Sequence, residues 1–314
     1  MWHINWHHRL RKLKKLILIT GVAGFIGSKI ADRFIEEGFH VVGVDDLSNG
    51  KLKNISPKVD FIKGDLSKKK TVSLLPRTCN QILHLAGQSS GEISFDDPVN
   101  DLNKNTVSTL NLINYGIEKR AKRIIYSSSM SVYGQLFKKK TSERDTCKPL
   151  SCYGVSKMMS EKYLYIFRKQ IPFLSLRMFN VYGPGQDMNN LRQGMVSIYL
   201  AQALKNKTIM VKGSLKRIRD FIFIDDVVEC WFRSSEYNSP LNKTINIGTG
   251  IPTKVEKLVK IISKKIPRTK YYLSRSTKGD QNSIVCDNTL LKYELRIKKF
   301  TNLEKGLEIF ISSL

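Results

Sequence analysis

Tyr153 and Lys157, in the stretch SCYGVSKMMSEK, stand four residues apart, which on a helix puts them one turn apart on one face. A phenol titrates near pH 10 on its own, too high for a base at neutral pH, and a nearby ammonium favours the phenolate. Lowering it by about three units takes roughly 4 kcal/mol of differential stabilisation, which close charges in a partly dry site supply. Such a pair suits removal of a proton from an alcohol. A second stretch, SSSMSVYG at 127–134, offers a run of hydroxyls and no carboxylate.

A third stretch, TGVAGFIG at 20–27, spaces Gly21, Gly24 and Gly27 three apart. Glycines there let the backbone turn tightly and approach a ligand, while the N–H groups of the next helix face a pyrophosphate. Asp45 closes the following strand at the distance that suits bonding an adenosine ribose. An acid in that place repels a 2′-phosphate, so NAD is favoured over NADP. A bound nicotinamide would add positive charge beside Tyr153.

These residues need a scaffold, and the pattern around them supplies one. Leu16–Thr20 is a short apolar run, Ile26, Ile30 and Phe34 repeat at helical spacing, and Gly38 ends that helix. Downstream, VDFIKGDL, QILHLAG, RIIYSSS and PFLSLRMFN read as buried strands, with helical stretches at 104–119 and 153–169. The alternation predicts an α/β fold, a Rossmann-type doubly wound parallel sheet, with ligands beyond the carboxyl ends of its strands. SSSMSVYG lies at one of those ends.

The chain of 314 residues has ample length for one large domain or two unequal ones. No apolar run approaches the roughly 18 residues of a membrane span; LILIT and FIFI are long enough only for buried strands. Five cysteines, odd in number and without a C-x-x-C pair, read as reduced thiols of a cytoplasmic protein. The net charge of +26 attracts polyanions, but the lysines are spread along the chain and no nucleic-acid reading module accompanies them. They read as a solvated surface, with steering of anionic small molecules or contact with an acidic partner as the alternatives. Residues 1–15 form a basic extension in which His3, His7 and His8 lack metal-ligand spacing, and no metal site is assigned.

From about Leu16 to the C-terminus the chain resembles the extended short-chain dehydrogenase/reductase family, within it the nucleotide-sugar epimerases and dehydratases. The resemblance rests on TGVAGFIG, GDL (64–66), HLAG (84–87), SSSMSVYG, YGVSK, RMFNVYGPGQ, RDFIFIDDV and NIGTG. It implies that Gly21, Gly24, Phe25, Ile26 and Gly27 hold the NAD pyrophosphate, Asp45 the adenosine ribose, and Asp65 with Leu66 the adenine. Leu85, Ala86 and Gly87 would pass beside the cofactor, and Lys157 would also bind the nicotinamide ribose. Ser129, Tyr153 and Lys157 would form the catalytic triad. A nucleotide-diphosphate sugar is the implied substrate, contacted by Ser129, Asn180, Gln193 and Arg219. A homodimer through the helices near 104–119 and 153–169 is implied as well, as is a role in polysaccharide biosynthesis.

The resemblance also separates reactions. Dehydrating relatives carry a Glu, usually after Asp or Ser, just beyond the serine or threonine; here Met130 and Ser131 stand there. That points to a 4-epimerase acting on a UDP-hexose, with a 4,6-dehydratase, a ketosugar reductase and an RNA-associated protein of the same fold as rivals. Glu92 is the acid that a dehydratase would recruit from elsewhere. Near the C-terminus, Thr277 and Lys278 replace the Arg-Pro of the family's Arg-Pro-Gly-Asp pattern, leaving Arg275 or Lys278 to substitute. The expected division is 1–15 extension, 16–178 with 222–247 for NAD, and 179–221 with 248–314 for the nucleotide sugar.

Overall fold

The computed structural model describes residues 15–237 and 242–314. The basic extension expected over 1–15 therefore lies, apart from Lys15, outside the described residues. Six strands, β1 (Leu16–Thr20), β2 (His40–Asp45), β3 (Asp60–Lys63), β4 (Gln81–His84), β5 (Ile124–Ser129) and β6 (Phe173–Met178), join Lys243–Ile247 in one sheet. Its order is Lys243–Ile247, β6, β5, β4, β1, β2, β3, and every pairing is parallel. This is the Rossmann-type sheet that the alternating pattern predicts. The chain runs outward from β1 to β3 and then returns to the other side of β1, so a crevice opens between the ends of β1 and β4.

Both sheet faces are covered, which is why the central strands are continuous apolar runs. On one face the Phe25–Glu36 helix buries Ile30, Ala31 and Phe34, and the Ile224–Ser235 helix buries Val227 and Trp231 in the same core. On the other, Leu112 and Ile113 of the Ser108–Glu118 helix and Leu164 of the Cys152–Ile166 helix pack with Leu18, Ile82, Ile124 and Tyr126. After β6, three short strand pairs carry the chain outside the main sheet: Asn180–Tyr182 with Phe221–Phe223, Thr208–Lys212 with Lys270–Ser274, and Ile218–Arg219 with Thr253–Lys254.

The helix expected over 104–119 differs from the structure. A short helix, Pro98–Leu102, begins on Asp97, whose carboxylate accepts the Asn100 N–H at 2.9 Å, and leads into a π-helical turn, Asn103–Val107, before the Ser108–Glu118 helix. The wider turn carries Asn105 and Thr106 inward, where they bond Asp101, Ser156 and the Ser156 carbonyl on the neighbouring helix. Among the described residues no helix is long and apolar enough to cross a membrane, and no cluster of three or more His, Cys, Asp or Glu is placed to hold a metal ion. All five cysteines are free thiols.

Candidate active site

A cleft of about 1290 Å³ opens at the carboxyl ends of the strands, and the expected catalytic, cofactor and substrate residues, Arg275 apart, line it. The Cys152–Ile166 helix brings in Tyr153 and Lys157; its N-terminus is fixed by the Ser151 hydroxyl, which accepts the Gly154 N–H at 3.1 Å. Farther along, Glu161 takes the Arg177 guanidinium of β6 in a two-pronged pair at 2.6 and 2.9 Å, and Ser128 of β5 donates to it at 2.5 Å. The helix is thereby locked to the two strands behind it, and Ser129, at the tip of β5, is held in a set position opposite Tyr153.

The charges there are not those the spacing suggests. Lys157 is 2% exposed and its ammonium donates to the Ser127 carbonyl at 2.9 Å, 5.8 Å from the centre of the Tyr153 ring. Burial pulls Lys157 down to about 8, opposed by the carboxylates of Asp101 and Glu161. Tyr153 keeps part of its surface open to the cleft, yet burial pushes its phenol up to about 12, against a hydrogen bond with Ser129 that favours the phenolate. The protein's own residues leave the phenol protonated, and the lowering expected from the sequence rests on the ammonium together with a positive nicotinamide. Enclosure outweighs an ammonium that is spent on a backbone carbonyl.

Two residues that the sequence did not mark stand behind this pair. Asp101, 1% exposed, accepts from Ser156 at 2.7 Å and from the Asn105 amide at 3.1 Å. The Asn105 side-chain oxygen, Oδ1, is buried without a partner and lies beside Gly87, whose added Cβ would come within 2.2 Å of that oxygen and 3.5 Å of the Lys157 ammonium. Their signal was a run of buried polar residues on a helix facing Tyr153 and Lys157, which only the fold makes visible.

The other end of the cleft fits a dinucleotide. Gly21 has φ of +71° and its Cβ would meet the Ala86 nitrogen at 2.7 Å, while a Cβ on Gly27 would approach the Gly21 oxygen to 2.1 Å. No side chain caps the Phe25–Glu36 helix, which leaves its first-turn N–H groups for an anion. Asp45 accepts the Ala23 and Leu47 N–H groups at 3.0 and 2.8 Å; burial pushes its carboxyl up, and these bonds act against the rise. The Thr20 hydroxyl accepts the Leu85 and Ala86 N–H groups at 3.1 and 3.0 Å, so it gives its proton to His84 Nδ1 at 2.8 Å. His84 Nε2 then donates to Thr109 at 3.0 Å. Asp65 and Leu66 complete this wall after β3.

A family model described as the NAD dependent epimerase/dehydratase family matches residues 17–248. The chain belongs to that family. It is 34% identical over 252 residues to a UDP-glucose 4-epimerase of Mycolicibacterium smegmatis, covering 77% of this chain and 79% of the relative. It is 32% identical over 241 residues to UDP-glucuronic acid decarboxylase 1 of Xenopus tropicalis, covering 74% of this chain and 56% of that protein. Among solved structures it matches a UDP-glucose 4-epimerase of Thermotoga maritima, solved with UDP-glucose, at a TM-score of 0.90 and 32% identity, over 95% of this chain and 98% of that one. This chain is thus an NAD-dependent enzyme of the epimerase/dehydratase family, and the glycine cradle and uncapped helix are where NAD fits.

For this family member the remaining expected residues lie across the cleft from the cradle. Asn180 donates to the Asp220 carbonyl at 2.9 Å, and Gln193 donates to the Ser89 hydroxyl at 2.7 Å. Arg219 is 3% exposed, with its guanidinium on Asp280 at 2.5 Å and on the Gln281 carbonyl at 2.6 Å. Asp280 binds Arg217 too. Lys278 lines the cleft, its ammonium 4.3 Å from the Phe95 ring centre, whereas Arg275 is not part of the lining. Glu92 also lines it, but both its oxygens are held by Lys212, at 3.0 and 3.1 Å, with Arg192 at 3.4 Å.

Proposed function

We propose that this enzyme is a nucleotide-sugar 4-epimerase acting on a UDP-hexose through a transient 4-ketone. The observation that carries this reading is the convergence of Ser129, Tyr153 and Lys157 in a cleft where Met130 and Ser131 replace the acid pair of an eliminating enzyme. Glu92, the remaining candidate acid, is engaged in ion pairs with Lys212 and Arg192. Tyr153 takes the proton of the C4 hydroxyl, Ser129 hydrogen-bonds the same oxygen, and Lys157 stabilises the phenolate. NAD, held by the Gly21, Gly24 and Gly27 cradle and the uncapped helix, would supply the reversible hydride acceptor for C4. Asn180, Gln193 and Arg219 grip the nucleoside diphosphate while the ketosugar turns over, and Asp280 holds the Arg219 fork in place.

In this reading 16–178 with 222–247 bind NAD, 179–221 with 248–314 bind the nucleotide sugar, and two copies associate through the Ser108–Glu118 and Cys152–Ile166 helices. The second helix supports that pairing by leaving Val155, Met159, Tyr165 and Ile166 exposed. The test is proton NMR of the purified protein with UDP-, GDP-, CDP- and dTDP-sugars and no added cofactor. Interconversion of C4 epimers is expected with a UDP-hexose. A new methyl doublet with loss of the C6 hydroxymethylene signals would overturn it in favour of a dehydratase.

A further inference from the structure

Three carboxylates, Asp45, Asp46 and Asp65, line the end of the cleft beside the glycine cradle, and the Lys104 ammonium lies among them. Lys104 bonds Asp46 Oδ2 and reaches Asp65 Oδ2 at 2.9 Å. Each acid is set by its own loop: Asp46 Oδ1 accepts the Ser48 N–H and hydroxyl at 2.9 and 2.6 Å, and Asp65 Oδ1 accepts the Ser67 N–H at 2.9 Å. Each therefore presents its second oxygen to the lysine. Asp46 follows β2, Asp65 follows β3, and Lys104 belongs to the π-helical turn Asn103–Val107. The ion pairs thus tie together three chain segments that share no strand or helix. The side chains of Lys104, Asp46 and Asp65 are 22%, 22% and 26% exposed, so the group is a partly dry rim rather than a loose surface pair.

We propose that Lys104 is a positioning residue for the adenosine of NAD, a latch that draws Asp46 and Asp65 together and slows escape of the cofactor. Without it the two acids and Asp45 would repel one another across the pocket, and the loops after β2 and β3 would spread. The widened π-helical turn is what sets Lys104 at this rim while Asn105, the next residue, is buried behind Lys157. One local distortion of a helix therefore serves both ends of the cofactor. The latch concerns NAD binding alone, so failure of the epimerase assignment would leave it standing.

The test uses the full chain stripped of nucleotide, with calorimetry of NAD, ADP-ribose and UDP on the parent, Lys104→Met, Lys104→Arg and Asp46→Asn. Loss of a charge-assisted pair on each acid should weaken NAD and ADP-ribose alike by about tenfold or more in Lys104→Met. UDP affinity should stay unchanged, and less nucleotide should copurify. Lys104→Arg should recover most of the affinity, and adding Asp46→Asn to Lys104→Met, which removes one of the repelling acids, should recover part of the loss. Affinities for NAD and ADP-ribose within twofold of the parent would overturn the latch, as would an equal loss of UDP affinity, which marks general loosening of the fold. Should Lys104→Met fail to fold, Lys104→Gln decides by the same comparison.

Discussion

Tyr153 at about 12 and Lys157 at about 8 are each displaced toward their neutral forms, because the site is dry before it is charged. A working base needs the reverse state, phenolate beside ammonium, and a nicotinamide bound next to them would add the positive charge that favours it. Tyr153→Phe should lower kcat by roughly 10²–10⁴, the usual share of a positioned base, while the nucleotide content of the purified protein stays at the parent level. Turnover within a few-fold of the parent would remove Tyr153 from the mechanism. Activity needs Tyr153 ionised and Lys157 protonated at once, so with these values it should rise with pH up to about 8 and level off above it, and initial rates across pH 6–10 test this. A profile still rising at pH 10 would contradict it. At this scale the sequence displayed Tyr153 and Lys157 because four-residue spacing is local. Asp101 and Asn105 stayed hidden because their meaning depends on a neighbouring helix about fifty residues away.

The elements that hold these groups were largely visible as alternating apolar runs and glycine turns, since a parallel sheet covered on both faces needs uninterrupted apolar strands. The π-helical turn was not, because one extra residue in a turn leaves the apolar spacing almost unchanged. Nor did HLAG reveal that its histidine ties β1, β4 and the Ser108–Glu118 helix together through Thr20 and Thr109. His84 is fully buried and held at about 3 by burial, with the Lys157 charge adding to the depression. In the unfolded chain the same imidazole gains its proton near pH 6.5, so between about 6.5 and 3 the unfolded state binds the extra proton. Stability should therefore fall as pH drops through that window, with His84 contributing up to roughly 1.4 kcal/mol per pH unit. Urea unfolding at pH 7, 6 and 5 measures the slope, and His84→Gln should flatten it. An equal slope in the variant would place the acid sensitivity elsewhere.

Over the whole molecule the charge is less evenly spread than the sequence suggested. Segments 204–217 and 251–278 carry five and nine Lys or Arg residues against a single acid, Glu256, a net +13 that is half of the chain's +26. The fold gathers them, because Thr208–Lys212 pairs with Lys270–Ser274 and the Val255–Lys265 helix bonds back to Leu215 and Arg217. Runs separated by dozens of residues look scattered along a chain and become one lobe when a strand pair closes it. Lys212, Arg217 and Lys278 of this lobe line the cleft, so its positive field reaches the site. On the Val255–Lys265 helix, burial of Val255, Leu258, Val259 and Ile262 turns Lys257, Lys260 and Lys264 outward, away from any role in binding contacts. If the lobe steers substrate, kcat/KM should fall by about tenfold as ionic strength rises from 10 to 200 mM, since the screening length shrinks from about 30 Å to below 10 Å. Replacing Lys257, Lys264 and Lys265 by Gln should reduce kcat/KM at low salt, leave kcat unchanged and make the salt dependence shallower. Stopped-flow association of UDP at each salt concentration separates steering from chemistry, and an association rate indifferent to both salt and substitution would return these lysines to the role of a solvated surface.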